Sequence, residues 1–390
     1  MDKITIGVVG AGRATELHMY GYRHAELPIR LKTLVGGQDR AKAEKAQKAY
    51  GFETLSFDFN DLLQDEEIDV IDINTPPYVH KDMIIKALKA GKHVICEKPL
   101  TGYFGTEGDL EPIGDHVSRS KMYEHLLKEL EELEIVAETS DKKFMYAENW
   151  IYAPAIIKAG EIVAAKKSRI LYMEGEESLK GSSSPVAGEW CKTGGGSFIR
   201  NGVHPLGAIL WLKEQEAKAH GIEIGIKSVI GDMGYAVRNL TEYERRHIAA
   251  NPQDVEDNGI VTITFTDGTK ALIVSTDNLL GGTRTFVNLY CNDNAINCKL
   301  TLSDAMETYL LDEDGMDGVY LSEMLPSRLG WNKPFVADEN MRGYISEIND
   351  FLEAVYYDRE PVAGFRAAKD VIKVTYAAYL SAETGRRIDF

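Results

Sequence analysis

Long apolar runs are missing from this chain of 390 residues. Nothing in it approaches the roughly 20 consecutive apolar residues that a membrane-spanning helix needs. Cysteine is scarce as well. Its four copies (Cys96, Cys191, Cys291, Cys298) are far apart and lack the paired spacing of a zinc site. Cys291 and Cys298 flank an expected hairpin turn, and free thiols are the expectation in a reducing compartment. Positive charge is the third shortage: 44 Lys and Arg stand against 61 Asp and Glu, a formal net charge of −17. That balance argues against nucleic acid and anionic membrane surfaces as partners, since both require a basic footprint. No basic, cleavable apolar leader precedes the first strand-like segment, so a cytoplasmic location is expected. No His, Asp and Glu cluster has ligand-like spacing, and no metal is expected.

What is present is alternation. Apolar residues make up 44% of the chain, enough for a substantial core, and the length suggests two domains. Residues 4–9, 31–35, 69–73 and 93–97 read as strands, separated by helices at 13–24, 40–50 and about 79–90. Strands alternating with helices of this length give a doubly wound parallel sheet in an α/β domain. Residues 101–119, rich in glycine and acids, form a loop too long for a plain connection. A helix and a strand at 144–147 follow. The second half is β-rich. Asp267-Gly268 sits between apolar runs at 260–265 and 271–274, a hairpin signal. A second hairpin is expected at 285–290 and 295–302, and further strands at 169–174 and 229–237. Residues 181–185 read as a mobile loop. Amphipathic helices at 341–356 and 367–382 close the chain. The expected architecture is α/β plus α+β: a domain over residues 1–148, then residues 149–390 built on a large open, mainly antiparallel sheet, with the closing helices packing back.

Gly10-Ala11-Gly12 directly follows a strand and opens a helix, the context in which such a turn cradles a dinucleotide. The first glycine permits the turn and the second lets the backbone approach a pyrophosphate, which meets free N–H groups at the helix start. Arg13 and Ala14 complete the turn. Thr15 stands where a third glycine is usual; its hydroxyl can cap the helix or reach a phosphate. After the second strand come Gln38, Asp39 and Arg40. Asp39 can bind an adenosine ribose and Arg40 a 2′-phosphate, so NAD is favoured slightly and NADP is not excluded.

The remaining motifs are Asn74-Thr75-Pro76-Pro77, His80, Glu97-Lys98-Pro99 at a strand end, three glycines at 194–196, and His204. In this order and at these intervals they resemble the Gfo/Idh/MocA family, named for glucose–fructose oxidoreductase, inositol dehydrogenase and a rhizopine-catabolism protein. The resemblance spans nearly the whole chain. It implies a Rossmann domain followed by an open antiparallel sheet used for substrate binding and for homodimers or homotetramers. It implies hydride transfer between NAD(P) and a hydroxyl carbon of a sugar, glycoside or cyclitol. Lys98 and His204 would be catalytic, and Asn74, Thr75, Pro76, Pro77, His80 and Glu97 would line the cofactor with Lys98. Asn149 and Tyr152, at the domain junction, would bind substrate.

The chemistry of these residue types agrees. Removing a hydride from a carbinol requires a group to take the hydroxyl proton, and histidine titrates in the right range. Lysine can stabilise charge on the oxygen, or act as the base where burial lowers its pKa. One departure stands out: Arg200 occupies the place where the family carries an aspartate, four residues before the histidine. Arginine cannot serve as a base, but with Asn201 it can bind substrate hydroxyls or a carboxylate. Two other functions remain. One is an NAD-cycling glycoside lyase or hydrolase, with Tyr152 as its extra acid or base; the other is a non-catalytic dinucleotide-binding protein.

Overall fold

The computed structural model describes residues 2–182, 184, 186–301, 306–316, 319, 321, 325 and 327–390. Ser183 and Pro185 of the 181–185 loop, and Leu302 of the second hairpin, lie outside the described residues. The chain forms two compact units that interleave along the sequence. The first is Met1–Tyr152, Cys191–Gly194 and Gly343–Tyr376; the second is Ala153–Trp190, Gly195–Arg342 and Ala377–Phe390.

The first unit is built on six parallel strands: β1 (Ile4–Val9), β2 (Ile29–Val35), β3 (Thr54–Ser56), β4 (Val70–Ile73), β5 (His93–Glu97) and β6 (Phe144–Ala147). Their order is β3-β2-β1-β4-β5-β6, all pairs parallel. The chain reverses direction across the sheet between β1 and β4, so the carboxyl ends of β1, β4 and β5 border the ligand crevice of a Rossmann fold. β1 and β4 are buried along their whole length, which is why they read as unbroken apolar runs. The strand β3 and the helix Asn60–Gln64 were not expected; three residues at a sheet edge leave no periodicity to read. The helix Tyr344–Tyr356 lies on the helix Arg13–Arg23. They approach so closely that a β-carbon at Gly21 would collide with Ile348.

The 101–119 segment is not an open loop. Thr101, Gly102 and Tyr103 are buried, as is Ile113. Asp109 pins the segment by accepting from the Tyr103 hydroxyl and from Thr106 N (2.8 Å) and by pairing with Lys121. A short helix, Ile113–His116, precedes the long helix Arg119–Thr139, which Ser118 caps.

The second unit carries a seven-stranded sheet: β7 (Ile170–Ser178), β8 (Ile226–Gly234), β9 (Asn258–Phe265), β10 (Lys270–Thr276), β11 (Arg284–Cys291), β12 (Ala295–Lys299) and, after a small pair β13 (Thr308–Leu310) and β14 (Gly330–Asn332), the terminal β15 (Ile388–Asp389). The order is β12-β11-β7-β10-β9-β8-β15. Only β7 and β10 pair in parallel, so the sheet is mainly antiparallel. Alternate residues face the core: Val261 and Ile263, Ala271 and Ile273, Val287 and Leu289 are fully buried. The helices Pro154–Lys166 and Val203–His220 cover that face. A β-carbon at Gly175 in β7 would lie 2.8 Å from Pro205, so the start of the second helix sits directly on the strand. All four cysteines are free. Among the described residues no helix is long and apolar enough to cross a membrane.

Candidate active site

In the first unit the glycine turn lies where β1 meets the helix Arg13–Arg23. Gly10 has φ +106°, and a β-carbon there would run into the Asn74 carbonyl oxygen. A side chain is excluded twice over at this position. Gly12 caps the helix with no side-chain hydrogen bond and with nothing within 4 Å of where a β-carbon would stand. Thr15 is fully buried and donates to Gly10 O (2.9 Å). It stitches the turn from behind, so neither of its expected roles holds. Arg13 is exposed and paired with Glu16 (2.8 Å).

At the end of β2, Gln38, Asp39 and Arg40 are all exposed. Asp39 caps the next helix by accepting from Lys42 N (3.0 Å), and the Arg40 guanidinium sits 4.1 Å over the Phe57 ring. Both side chains thus have structural work at the place expected for the ribose.

Asn74 follows β4. It is buried, and among the described residues neither its amide nitrogen nor its oxygen has a hydrogen-bond partner. Thr75, Pro76 and Pro77 lead into a short 3-10 turn. His80 does not line the crevice. It is fully buried, with Nδ1 2.9 Å from Pro99 O and Nε2 2.9 Å from Thr75 O. It braces the turn after β4 against the turn after β5. Burial pushes its pKa down, against the pull of the two carbonyls.

Lys98 is half-buried at the end of β5, and its peptide bond to Pro99 is cis. Its N–H donates to Glu97 Oε2 (2.9 Å). Behind Glu97 lie His18, Asp72 and Tyr22, a buried polar group that sequence reading missed, since isolated residues on three elements make no motif. Asn149 is buried in a single turn, Asn149–Tyr152. Tyr152 needs a correction. Its hydroxyl donates to Asp350 (2.8 Å) and accepts from Ala363 N (2.9 Å). Burial, then the Asp350 charge, drives its pKa well up. Both hydrogen-bonding functions are used inside the first unit, so it is a structural tyrosine.

In the second unit, Phe198–Gly202 forms a π-helical turn before the helix Val203–His220. The regular helical face expected to join Arg200 to His204 is therefore absent, because the wider turn changes the angle between them. The Arg200 guanidinium pairs with Asp277, just beyond β10, and Asn201 Nδ2 donates to the same carboxylate (3.0 Å). Asp277 was not visible as a site residue in the sequence. His204 is buried, with Nε2 3.9 Å from Glu177 Oε2, itself buried at the end of β7. The glycine run is held from below. Glu256 accepts from Gly196 N (2.8 Å), Phe198 N (3.0 Å) and the Tyr379 hydroxyl (2.8 Å). A β-carbon at Gly196 would strike the Glu256 carbonyl. Among the described residues no three His, Cys, Asp or Glu side chains are grouped to hold a metal.

Residues 4–113 match the family model described as "Oxidoreductase family, NAD-binding Rossmann fold". Over these residues the chain is similar to the Gfo/Idh/MocA oxidoreductases. Levoglucosan dehydrogenase of Pseudarthrobacter phenanthrenivorans is 34% identical over 108 residues, 26% of this chain and 27% of that protein. The scyllo-inositol 2-dehydrogenase (NAD(+)) of Bacillus subtilis is 36% identical over 104 residues, 25% of this chain and 29% of that one. The chain thus matches under a third of the length of these curated relatives. Among solved structures, GenD2 from gentamicin A biosynthesis, in complex with NAD, superposes over 100% of this chain and 97% of its own, with a TM-score of 0.78 and 19% identity. That likeness establishes the fold.

The matched family is NAD-binding, and the residues of the glycine turn fit that cofactor. A helix start with no side-chain cap, beside a Gly12 with room at its β-carbon position, suits a pyrophosphate. The buried, unpartnered Asn74 amide beside the turn is a polar group waiting for a ligand, since such groups in native proteins are otherwise satisfied.

Proposed function

We propose that this protein is an NAD(P)-dependent oxidoreductase acting on a ring hydroxyl carbon of a sugar, glycoside or cyclitol. NAD is the favoured cofactor. The observation that carries the reading is Lys98 at the carboxyl end of β5, on the same sheet edge as the Gly10–Gly12 turn and the open Asn74 amide. A cation there can polarise a substrate hydroxyl beside a bound nicotinamide.

When bound, the nicotinamide supplies or accepts the hydride. The chain's own residues handle the oxygen and its proton. Lys98 orients the hydroxyl and stabilises charge on it as the carbonyl forms. His204 takes the proton, and the nearby Glu177 carboxylate favours the imidazolium that results. Asn149, Arg200 and Asn201 are assigned to substrate, with Arg200 also serving Asp277. The domain roles follow: the first unit binds the dinucleotide and carries Lys98 and Asn149, and the second carries Arg200, Asn201, His204 and the subunit contact. The outer sheet face exposes Ile230, Ile260 and Tyr290, an apolar surface suited to a dimer or tetramer in the cytoplasm. The engaged Tyr152 hydroxyl removes the extra acid or base that the NAD-cycling lyase needs, which favours net dehydrogenation.

The test is mass spectrometry of small molecules released from the purified, unfolded protein, followed by turnover of sugars and cyclitols with NAD and NADP. Nicotinamide reduction is expected. It should fall by about 10²–10⁴-fold in Lys98→Met, with NAD binding retained by calorimetry. Glycoside cleavage without net reduction would favour the cycling mechanism. No dinucleotide binding at all would overturn the reading.

A further inference from the structure

Lys98 is backed by a buried ionic chain that none of the roles above uses. His18 lies on the helix Arg13–Arg23, wholly inside the first unit. Its Nδ1 is 2.9 Å and 3.1 Å from the two oxygens of Asp72, the central residue of β4. Its Nε2 is 3.4 Å from Glu97 Oε1 at the end of β5. Asp72 also accepts from the Tyr22 hydroxyl (2.8 Å), and the second oxygen of Glu97 takes the Lys98 N–H (2.9 Å). The chain therefore runs Asp72–His18–Glu97–Lys98, crossing from one strand to the next through a helix.

Ionised carboxylates only accept hydrogen bonds. A neutral imidazole donates from one nitrogen, so it would turn a lone pair toward either Asp72 or Glu97. The Nε2–Glu97 contact, an ion-pair approach and not a formed hydrogen bond, is attractive alongside the Asp72 bond only when both nitrogens carry protons. A buried carboxylate pair with no cation between would also repel. The groups around His18 agree. Tyr22 is neutral, as burial and Asp72 raise its pKa, and Cys96 on β5 is held as a thiol by burial. Tyr146 on β6 is likewise driven up by burial, then by Glu148. Glu347, from the helix Tyr344–Tyr356, has its pKa driven well up by burial. For His18, burial pulls the pKa down, but Asp72 and then Glu97 together carry it well above its usual value. For Glu97, burial pulls up, and His18 and Lys98 outweigh it.

We propose that His18 is a positioning residue for Lys98: a permanent imidazolium clamped between Asp72 and Glu97, which keeps Glu97 charged so that Glu97 fixes the Lys98 backbone at the strand end. The inference rests on the reading of Lys98 as the residue that meets the substrate oxygen. It explains why a histidine occupies a fully buried site beneath a dinucleotide turn. It also explains why Glu97 precedes the lysine: the carboxylate serves as a strut to the lysine backbone and has no need to reach a ligand.

The experiment is nuclear magnetic resonance on the full chain, labelled with nitrogen-15 and titrated between about pH 5 and 8, the range over which an ordinary histidine changes charge. One imidazole should keep both ring nitrogens protonated throughout, and its signals should vanish in His18→Gln. The Lys98 amide resonance should be flat with pH in the native chain. In His18→Gln it should move, because Glu97, without its cation, takes up a proton within the range. A purely structural histidine would leave that resonance unchanged. A neutral His18 ring at pH 7 in the native chain overturns the proposal, and it does so even if His18→Gln fails to fold. An inactive native chain with the expected spectra would sink the functional reading and leave the clamp standing.

Discussion

At the scale of single residues, Arg200 decides how the second unit should be understood. Its guanidinium pairs with Asp277, which is 2% exposed, and burial already pushes that carboxylate's pKa up against the arginine's pull. Removing the cation leaves a buried acid with the Asn201 amide as a donor and the Asp257 charge opposing it. Arg200→Met should therefore lower stability by about 2–4 kcal/mol, the usual cost of breaking a buried pair after allowing for partial exposure of the arginine. A shift of the urea midpoint measures it, and adding Asp277→Asn should recover part of the loss. Were Arg200 a substrate ligand alone, the midpoint would stay fixed while KM rose. Residues of this kind mark the limit of what the sequence disclosed. Gly10 was legible because its turn demands glycine (φ +106°), whereas Gly12, Lys98 and His204 were singled out by their place in motifs. Asp277, Glu177 and His18 carry no such mark; only the register of the sheets brings them to their partners. Tyr152 and His80 were misread for the converse reason. An aromatic hydroxyl and an imidazole near a motif look available until the buried carboxylate and carbonyls that occupy them are seen.

At the scale of elements, β5 holds the lysine at one end and His93 at the other. The Lys143 amide, at the start of β6, donates to His93 Nδ1 (3.0 Å), a bond that requires an unprotonated ring. Burial, with Lys142 adding to it, pushes the His93 pKa down to about 4. The sign is fixed by linkage. Below about pH 6.5 the unfolded chain binds a proton that the folded chain refuses, so stability falls as pH drops toward 4 and is fully present above 6.5. The full shift amounts to about 3 kcal/mol, and partial exposure of the ring reduces this to nearer 2. His93→Gln, whose side-chain oxygen can accept the same amide, should flatten the denaturation midpoint between pH 6.5 and 4. An unaltered slope would show that other groups carry the acid sensitivity. Most elements on either side of β5 were readable, because long strands and helices repeat their apolar pattern often enough to be seen. β3 and the helix Asn60–Gln64 were too short for that. The 101–119 segment was read from its composition as a long loop; its two ends are buried and Asp109 pins its exposed middle through three partners.

At the scale of the whole molecule, the closing helices were expected to pack back, but the sequence order conceals that one stretch of them is part of the first unit. A boundary near residue 150 looks natural, since the parallel sheet ends at β6. The unit does not end there. Gly343–Tyr376 returns to it, and its contacts are integral. Ala363 O accepts from Tyr146 N on the outermost strand (2.9 Å), closing an edge that would otherwise be bare. Ile348 fills the space over Gly21, and the Phe351 ring packs edge-on against Tyr152 with centroids 5.6 Å apart. Phe365 does the same to Phe144 at 5.7 Å. Ile348, Phe351, Leu352, Val371, Ile372 and Tyr376 are all at most 1% exposed. At about 1.5–3 kcal/mol for each large side chain withdrawn from water, their burial is worth on the order of 10 kcal/mol, as much as the whole stability of an ordinary domain. Residues 1–152 expressed alone should therefore lack a cooperative urea transition and be cut rapidly by protease. Supplying residues 343–376 as a separate peptide should restore both the transition and dinucleotide binding. The Gly10–Gly12 turn and Lys98 lie entirely within residues 1–152, so a fragment that bound NAD tightly and unfolded cooperatively without the peptide would refute the argument. It would mean that the returning segment decorates a finished sheet, where the buried contacts say that it completes one.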